Sequence, residues 1–357
     1  MTYRVCDYIA DELYRRGVRH IYGLMGGGAS GLNDGFIKHG KLKYISFHNE
    51  QGAGHAAVGE SKFTGNISVV NPTTGCGGTN CITSLLGAWQ DSIPVIFISG
   101  NVGTEQCSRW INRYKSVNLR KYGIQEHDII STVSSMTKYS SFIDNENNIA
   151  YELDKAIHIS KIERPGPVWL DIPSNIQVAE MPKVLRRYTY YDYITNDINL
   201  KLVSNHDKYE IISLFNKSEK PIVLAGQGIK QSKTINQFLK FIEKFKIPYV
   251  STYGARDLLP YDHELNIGAI GIKGSRAGNF AMQSADLLFI LGCSLNNSHT
   301  GYDLNSWAPN AKKIFVTNDK SEYLKFSKSN YENNKLYIKF DYTLDCDLTD
   351  FFRVINE

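Results

Sequence analysis

No apolar run approaches the roughly 18 residues that a membrane-spanning helix requires, and the start, Met1-Thr2-Tyr3-Arg4-Val5-Cys6-Asp7, lacks the apolar stretch of a signal peptide. Both absences lead to the expectation of a cytoplasmic protein that does not engage membranes. Cysteine is scarce: the residues at 6, 76, 81, 107, 293 and 346 form no Cys-x-x-Cys pair and have no histidines at zinc spacing. Reduced thiols are expected, with neither disulfides nor a metal held by this chain. A charge excess is missing too. Forty Lys and Arg against 36 Asp and Glu leave a net +4 spread along the chain, which excludes nucleic acid as the expected partner. There is no internal repeat, no low-complexity tract and no Gly-x-Gly-x-x-Gly turn with a ribose-binding acid, so a nicotinamide or flavin oxidoreductase is disfavoured.

What remains is a globular composition, 42% hydrophobic and 21% charged over 357 residues, long enough for two domains. Val5, Tyr8, Ile9 and Leu13 recur at helical spacing before Gly17, and predict an opening amphipathic helix. Strand and helix patterns then alternate: His20 to Leu24, a Gly26-Gly27-Gly28 turn, a helix from about Ser30, Lys43 to Phe47, Ile67 to Val70, Pro94 to Ser99 and Pro167 to Asp171. A second alternation comprises Pro221 to Ala225, Tyr249 to Thr252, Leu287 to Leu291 and Lys313 to Thr317, before a final helix-like stretch. This predicts an α/β protein with two doubly wound parallel-sheet domains, at 1–180 and 206–357, joined by a polar, Tyr-rich linker at 181–205.

The most informative residues sit at two strand-to-helix junctions. Glu50 directly follows one strand and opens a helix of small residues, a poor place for a merely solvated carboxylate. The loop Thr73-Thr74-Gly75-Cys76-Gly77-Gly78-Thr79-Asn80 follows the next. Ligands of parallel sheets bind at the carboxyl ends of the strands, so both junctions would line one crevice. Gly75, Gly77 and Gly78 let backbone approach a ligand closely, and Thr79 and Asn80 are expected to cap the helix that follows.

Glu50-Gln-Gly-Ala, this glycine loop, the run Asp91-Ser92-Ile93-Pro94-Val95-Ile96-Phe97-Ile98-Ser99-Gly100 and Gln125-Glu126 together resemble the pyrimidine-binding domain of thiamine diphosphate enzymes, the acetolactate synthase group above all. The resemblance extends over essentially the whole chain and weakens after about residue 200. It implies that Glu50 is the catalytic carboxylate that hydrogen-bonds the cofactor's aminopyrimidine nitrogen, favouring the imino form that deprotonates the thiazolium carbon. It further implies that Thr74, Gly75, Gly77, Gly78, Asn80 and Gln125 contact the cofactor, and that Gly26, Gly27 and Gln125 lie near the substrate. Cys76 stands where relatives usually carry Pro. Lys138 and Glu126 also match the group, without an assigned role. His48, His55 and His127 are read as structural, with His55 packed on its helix, and Trp89, Trp110 and Trp169 as core or interface aromatics.

In the second domain, Gly268 to Gly274 and Cys293 to Gly301 are similar to segments that contact FAD in acetolactate synthases. Asn296 and Asn297 replace an acidic pair there, and Ser298 an arginine expected near a second keto acid. These departures count against FAD and against pyruvate as acceptor. The family holds the diphosphate through Mg²⁺ with a Gly-Asp-Gly motif, which does not occur in these 357 residues. The reading is therefore a carboligase or decarboxylase acting on a 2-keto acid, working as a homodimer or homotetramer. Its diphosphate-binding domain, with the Mg²⁺ ligands, is expected on a separate subunit or a missing segment. The rival is a non-catalytic regulatory or scaffold relative.

Overall fold

Long apolar runs and small-residue helices assemble two parallel sheets. The computed structural model describes residues 2–189, 192, 202–327 and 337–357 and falls into two compact units, Met1–Asp197 and Ile198–Glu357. In the first unit α1 (Val5–Arg15) precedes β1 (His20–Gly23), α2 (Ser30–Lys38), β2 (Lys43–Ser46), α3 (Glu50–Thr64) and β3 (Ser68–Asn71). Then come α4 (Cys76–Thr79), α5 (Ile82–Gln90), β4 (Val95–Asn101), α6 (Ser108–Lys115), α7 (Ile129–Val133), β5 (Tyr139–Phe142), α8 (Ile149–Lys161) and β6 (Val168–Pro173). The strands lie in the order β2-β1-β3-β4-β6-β5, every pairing parallel.

The inner strands β3, β4 and β6 are buried along their whole length, as expected for a sheet covered on both faces. Alternation along β4 divides the core. Ile96 and Ile98 join Val5, Ile9 and Leu13 of α1 on one face, while Val95 and Phe97 meet Ala53 and Ala57 of α3 and Trp169 on the other. Phe97 and Trp169 stack at 4.9 Å between ring centroids. On α3, a Cβ at Gly54 would fall 1.9 Å from Ser84 Oγ on α5. The glycine thus admits the close helix approach that brings the start of α3 toward the loop preceding α5. Strand β5 is absent from the sequence-based expectation because it reads Tyr-Ser-Ser-Phe and sits half-buried at the sheet edge.

The second unit repeats the plan with β7 (Pro221–Ala225), β8 (Tyr249–Ser251), β9 (Asn266–Ala269), β10 (Leu287–Leu291), β11 (Lys312–Thr317) and β12 (Tyr342–Asp345). Their order is β12-β11-β10-β7-β8-β9, again parallel throughout. Strands β9 and β12 carry little apolar signal: one contains Gly268 at φ +120°, and Leu344 is the single buried residue of the other. The closing helix Leu348–Asn356 packs Phe351 and Phe352 at 6.0 and 5.9 Å from Phe241.

Of the stretch expected as a linker, residues 190, 191 and 193–201 lie outside the described residues. Its beginning is tied down in the first unit. The Arg187 guanidinium donates to Asp154 and Glu12, and Met181 N donates to Tyr3 O at 2.9 Å. Among the described residues, no helix is long and apolar enough to cross a membrane.

Candidate functional site

The first sheet changes direction between β1 and β3: the chain leaves β1 toward β2 and leaves β3 toward β4 on the other side. Ligands of open α/β sheets bind at such a switch point. The turn after β1 meets the loop after β3 there. A Cβ at Gly26 would lie 2.5 Å from Thr73 Oγ1, and one at Gly28 1.6 Å from Thr74 Oγ1. A Cβ at Gly27 would meet nothing within 4 Å, so Gly27 is the open residue of this turn.

Glu50 is the first residue of α3, behind an Asn49 cap whose Oδ1 accepts from Gln51 N at 2.9 Å and Gly52 N at 3.4 Å. Buried in the first turn, the carboxylate lies at the positive end of the helix dipole. Its Oε2 accepts a 2.8 Å hydrogen bond from Asn80 Nδ2. Oε1 faces Gly77, where a Cβ would sit 3.0 Å away and 2.7 Å from Thr73 Cγ2. Any larger residue at 77 would press on the carboxylate and on Thr73. Two neighbours register its charge. The Tyr44 hydroxyl is pushed well above its usual range by burial and then by Glu50, and the Cys81 thiol likewise.

The glycine loop departs from expectation in one respect. Thr79 and Asn80 do not cap the following helix: Gly75 precedes α4, Thr79 ends it and Cys81 precedes α5. Thr79 Oγ1 instead donates to Cys76 O at 3.2 Å, which leaves the Asn80 amide free to reach Glu50. Cys76 is the first residue of α4, a position where proline's fixed φ and missing N–H cost nothing. The proline that the resemblance implies here and the cysteine present are therefore both compatible with this turn. Gly75, at φ +57°, could not carry a side chain, since its Cβ would lie 1.6 Å from Gln125 O. Gly78 packs toward Ile129.

Gln125 thus joins the site through its backbone. Its side chain is exposed and its φ is +58°. Buried Glu126 fixes the loop, accepting from Tyr122 N at 2.7 Å and Ser108 Oγ at 3.0 Å. His48 and His55 are exposed, so His55 does not pack on its helix as expected. His127 shares a 2.7 Å hydrogen bond with Thr132. Trp169 is fully buried, whereas Trp89 is 39% exposed. Lys138 Nζ donates to Ile162 O at 2.6 Å, its pKa lowered to about 8 by burial. All six cysteines are free.

The sequence places Thr73 in the loop lining the crevice but gives its side chain no role. Its side chain lies between Gly26 and Gly77, and its buried hydroxyl has no hydrogen-bond partner among the described residues. An unsatisfied buried hydroxyl costs about 1–3 kcal/mol and suits a ligand that supplies the partner. A buried carboxylate held on one oxygen, a glycine beside the other and this hydroxyl are the polar groups that the edge of an aminopyrimidine ring would meet.

In the second unit, Gly226 and Gly292 allow the loops after β7 and β10 to touch, a Cβ at Gly226 falling 2.1 Å from Gly292 O. The segments around Gly271 and Ser298 also meet: Ile272 N donates to Ser298 O at 2.9 Å. Asn296 Oδ1 accepts from Ser298 N at 3.0 Å and Ser298 Oγ at 2.5 Å, so these two side chains satisfy each other.

Residues 3–132 match the N-terminal TPP binding domain of thiamine pyrophosphate enzymes, and residues 209–332 match their central domain. The acetolactate synthase large subunit of Lactococcus lactis is 31% identical over 292 residues, 80% of this chain and 47% of that protein. The acetolactate synthase large subunit of Corynebacterium glutamicum is 31% identical over 304 residues, 85% and 46%. The acetolactate synthase of Mycobacterium bovis is 32% identical over 315 residues, 87% and 48%. The chain spans about half the length of these curated relatives. With both domain matches in chain order, it belongs to the thiamine pyrophosphate enzyme family, of acetolactate synthase-like type.

Proposed function

We propose that this chain supplies the pyrimidine-holding half of a thiamine diphosphate-dependent lyase or transferase. The reaction removes carbon dioxide from a 2-keto acid and joins the remaining carbon fragment to a keto acid, an aldehyde, a keto-sugar or a proton. The observation that carries this reading is Glu50, buried at a helix start, held by Asn80 on one oxygen and abutting Gly77, which has no side chain, at the other. Bound thiamine diphosphate supplies the electron sink for decarboxylation. Glu50 holds a proton at the pyrimidine nitrogen, Thr73 offers a hydroxyl to the same ring, and Gly75, Gly77 and Gly78 admit it. Gly26 and Gly27 border the reacting end.

Mg²⁺ and the diphosphate are held, in this proposal, by residues outside this sequence. Among the described residues no group of three or more His, Cys, Asp or Glu could hold a metal, and the relatives are about twice as long. The working unit is proposed to be a homodimer or homotetramer in the cytoplasm. Asn296 and Ser298, engaged with each other, support a central domain without FAD. A buried carboxylate kept in place by Asn80 favours this reading over a non-catalytic scaffold.

Replacing Glu50 by Gln in the assembly loaded with thiamine diphosphate and Mg²⁺ is expected to cut carbon dioxide release from pyruvate or other 2-keto acids by about 10²–10⁴. Circular dichroism should be unchanged. Turnover within about threefold of the parent would sink the assignment.

A further inference from the structure

Beside the far edge of the first sheet lies a cavity of about 470 Å³, lined by Arg109, Trp110, Asn112 and Arg113 of α6, by Ser140, Ser141 and Phe142 of β5, and by Asp128 and Asp144. It is separate from the Glu50 crevice. Strand β5 is three strands away from β3, roughly 14 Å at sheet spacing. A cavity of this volume falls in the range that holds one small ligand.

Its charges are unevenly used. Arg109 commits Nη1 to Asp128, at 2.9 and 3.0 Å, and to Ser131 Oγ at 3.1 Å, leaving the other edge of its guanidinium unengaged. Arg113, one turn along α6, forms no ion pair among the described residues and lies 5.5 Å from the Tyr114 ring centroid. From Ser108 to Gln125 the sequence carries Arg109, Arg113, Lys115, Arg120 and Lys121 and no Asp or Glu, while Asp128 and Asp144 bring two carboxylates to the cavity itself. The wall is ordered by design of its hydrogen bonds. The Asn112 side chain accepts from Leu119 N at 2.7 Å and donates to Leu119 O at 3.0 Å, and Glu126 closes the loop behind it.

We propose that this cavity binds a phosphorylated sugar. Two guanidinium edges one helical turn apart suit the planar, multidentate recognition of a phosphate. Trp110, which lines the cavity and packs 4.9 Å from the Tyr114 ring, would meet the C–H side of a sugar ring, while Ser140, Ser141 and the Asp144 carboxylate would receive hydroxyls. The same stretch that frames the cavity runs on to Gln125, whose carbonyl abuts Gly75, so an occupant would steady the loop bordering the Glu50 crevice. The inference does not depend on the proposed reaction.

Calorimetry on the full chain tests it, with glucose 6-phosphate, glucose, gluconate and inorganic phosphate as probes. Glucose 6-phosphate is expected to bind, with glucose, the carboxylate-bearing gluconate and phosphate each weaker by about tenfold or more. Arg113→Ala, at an exposed helix position that the fold does not need, should weaken glucose 6-phosphate about tenfold or more. Asp144→Ala should weaken it without altering any binding of phosphate. No heat at millimolar glucose 6-phosphate would overturn the proposal, as would unchanged affinity in Arg113→Ala. Equal affinity for inorganic phosphate would overturn the sugar part and leave an anion site, and tighter gluconate would make the ligand a carboxylate.

Discussion

Asn80 donates its side-chain amide to Oε2 of Glu50 at 2.8 Å, joining the end of α4 to the start of α3 across two strand-to-helix junctions. The bond fixes one carboxylate oxygen and leaves Oε1 toward Gly77.

Removing that donor separates orientation from chemistry. Asn80→Ala keeps the Glu50 carboxylate but frees it to rotate, and the assembled enzyme is expected to lose about tenfold in kcat/KM, the worth of one hydrogen bond to a charged group. The loss should be far smaller than in Glu50→Gln. Steady-state kinetics on the two variants, side by side, checks the ranking.

Gly75 is the least replaceable residue of the loop. At φ +57°, with Gln125 O 1.6 Å from where a Cβ would stand, Gly75→Ala is expected to cost about 1–3 kcal/mol of stability. Gly87, inside α5 with nothing within 4 Å of its Cβ position, is the control: Gly87→Ala should be neutral or gain about 0.5–1 kcal/mol. Thermal melts of both variants read the difference.

Asp171 gives the first unit a pH dependence. Full burial raises its pKa from 3.8 to about 7, partly offset by hydrogen bonds from Ser99 and Asn101. The folded chain therefore holds a proton that the unfolded chain releases between pH 3.8 and about 7. Its stabilising contribution is complete below 3.8 and is lost as pH rises through about 7. Asp171→Asn should flatten this part of the melting-temperature profile, measured as the difference between parent and variant so that other carboxylates cancel.

Flavin is expected to be absent. The Asn296 and Ser298 side chains are turned to each other, and the purified chain should show no flavin absorbance. A yellow preparation carrying stoichiometric FAD after gel filtration would contradict this.

Much of the first unit is legible in the sequence because its inner strands are apolar on both faces. Val95 to Ile98 and Val168 to Leu170 can only be buried, and their spacing leaves room for the helices between them. The edge strand β5, with Ser140 and Ser141 at its centre, carries no such signal, and β9 and β12 fail for the same reason: half-exposed strands at sheet edges need few apolar residues. Residues 190, 191 and 193–201 of the expected linker lie outside the described residues.

Glu50 and its glycine loop were readable as motifs, since a carboxylate at a helix start and glycines after a strand are local patterns. Their partners were not. That Asn80 serves Glu50 in place of a helix cap, that Gln125 meets Gly75 by its carbonyl, and that Thr73 keeps a buried hydroxyl without a partner among the described residues all depend on which strand ends lie side by side. The sequence by itself determined the residue types that line the crevice, because backbone preference and burial act on neighbours along the chain. Only the tertiary structure decided which atoms face one another, because those distances are set by strand order and by the close approach of α3 to α5 at Gly54 and Ser84.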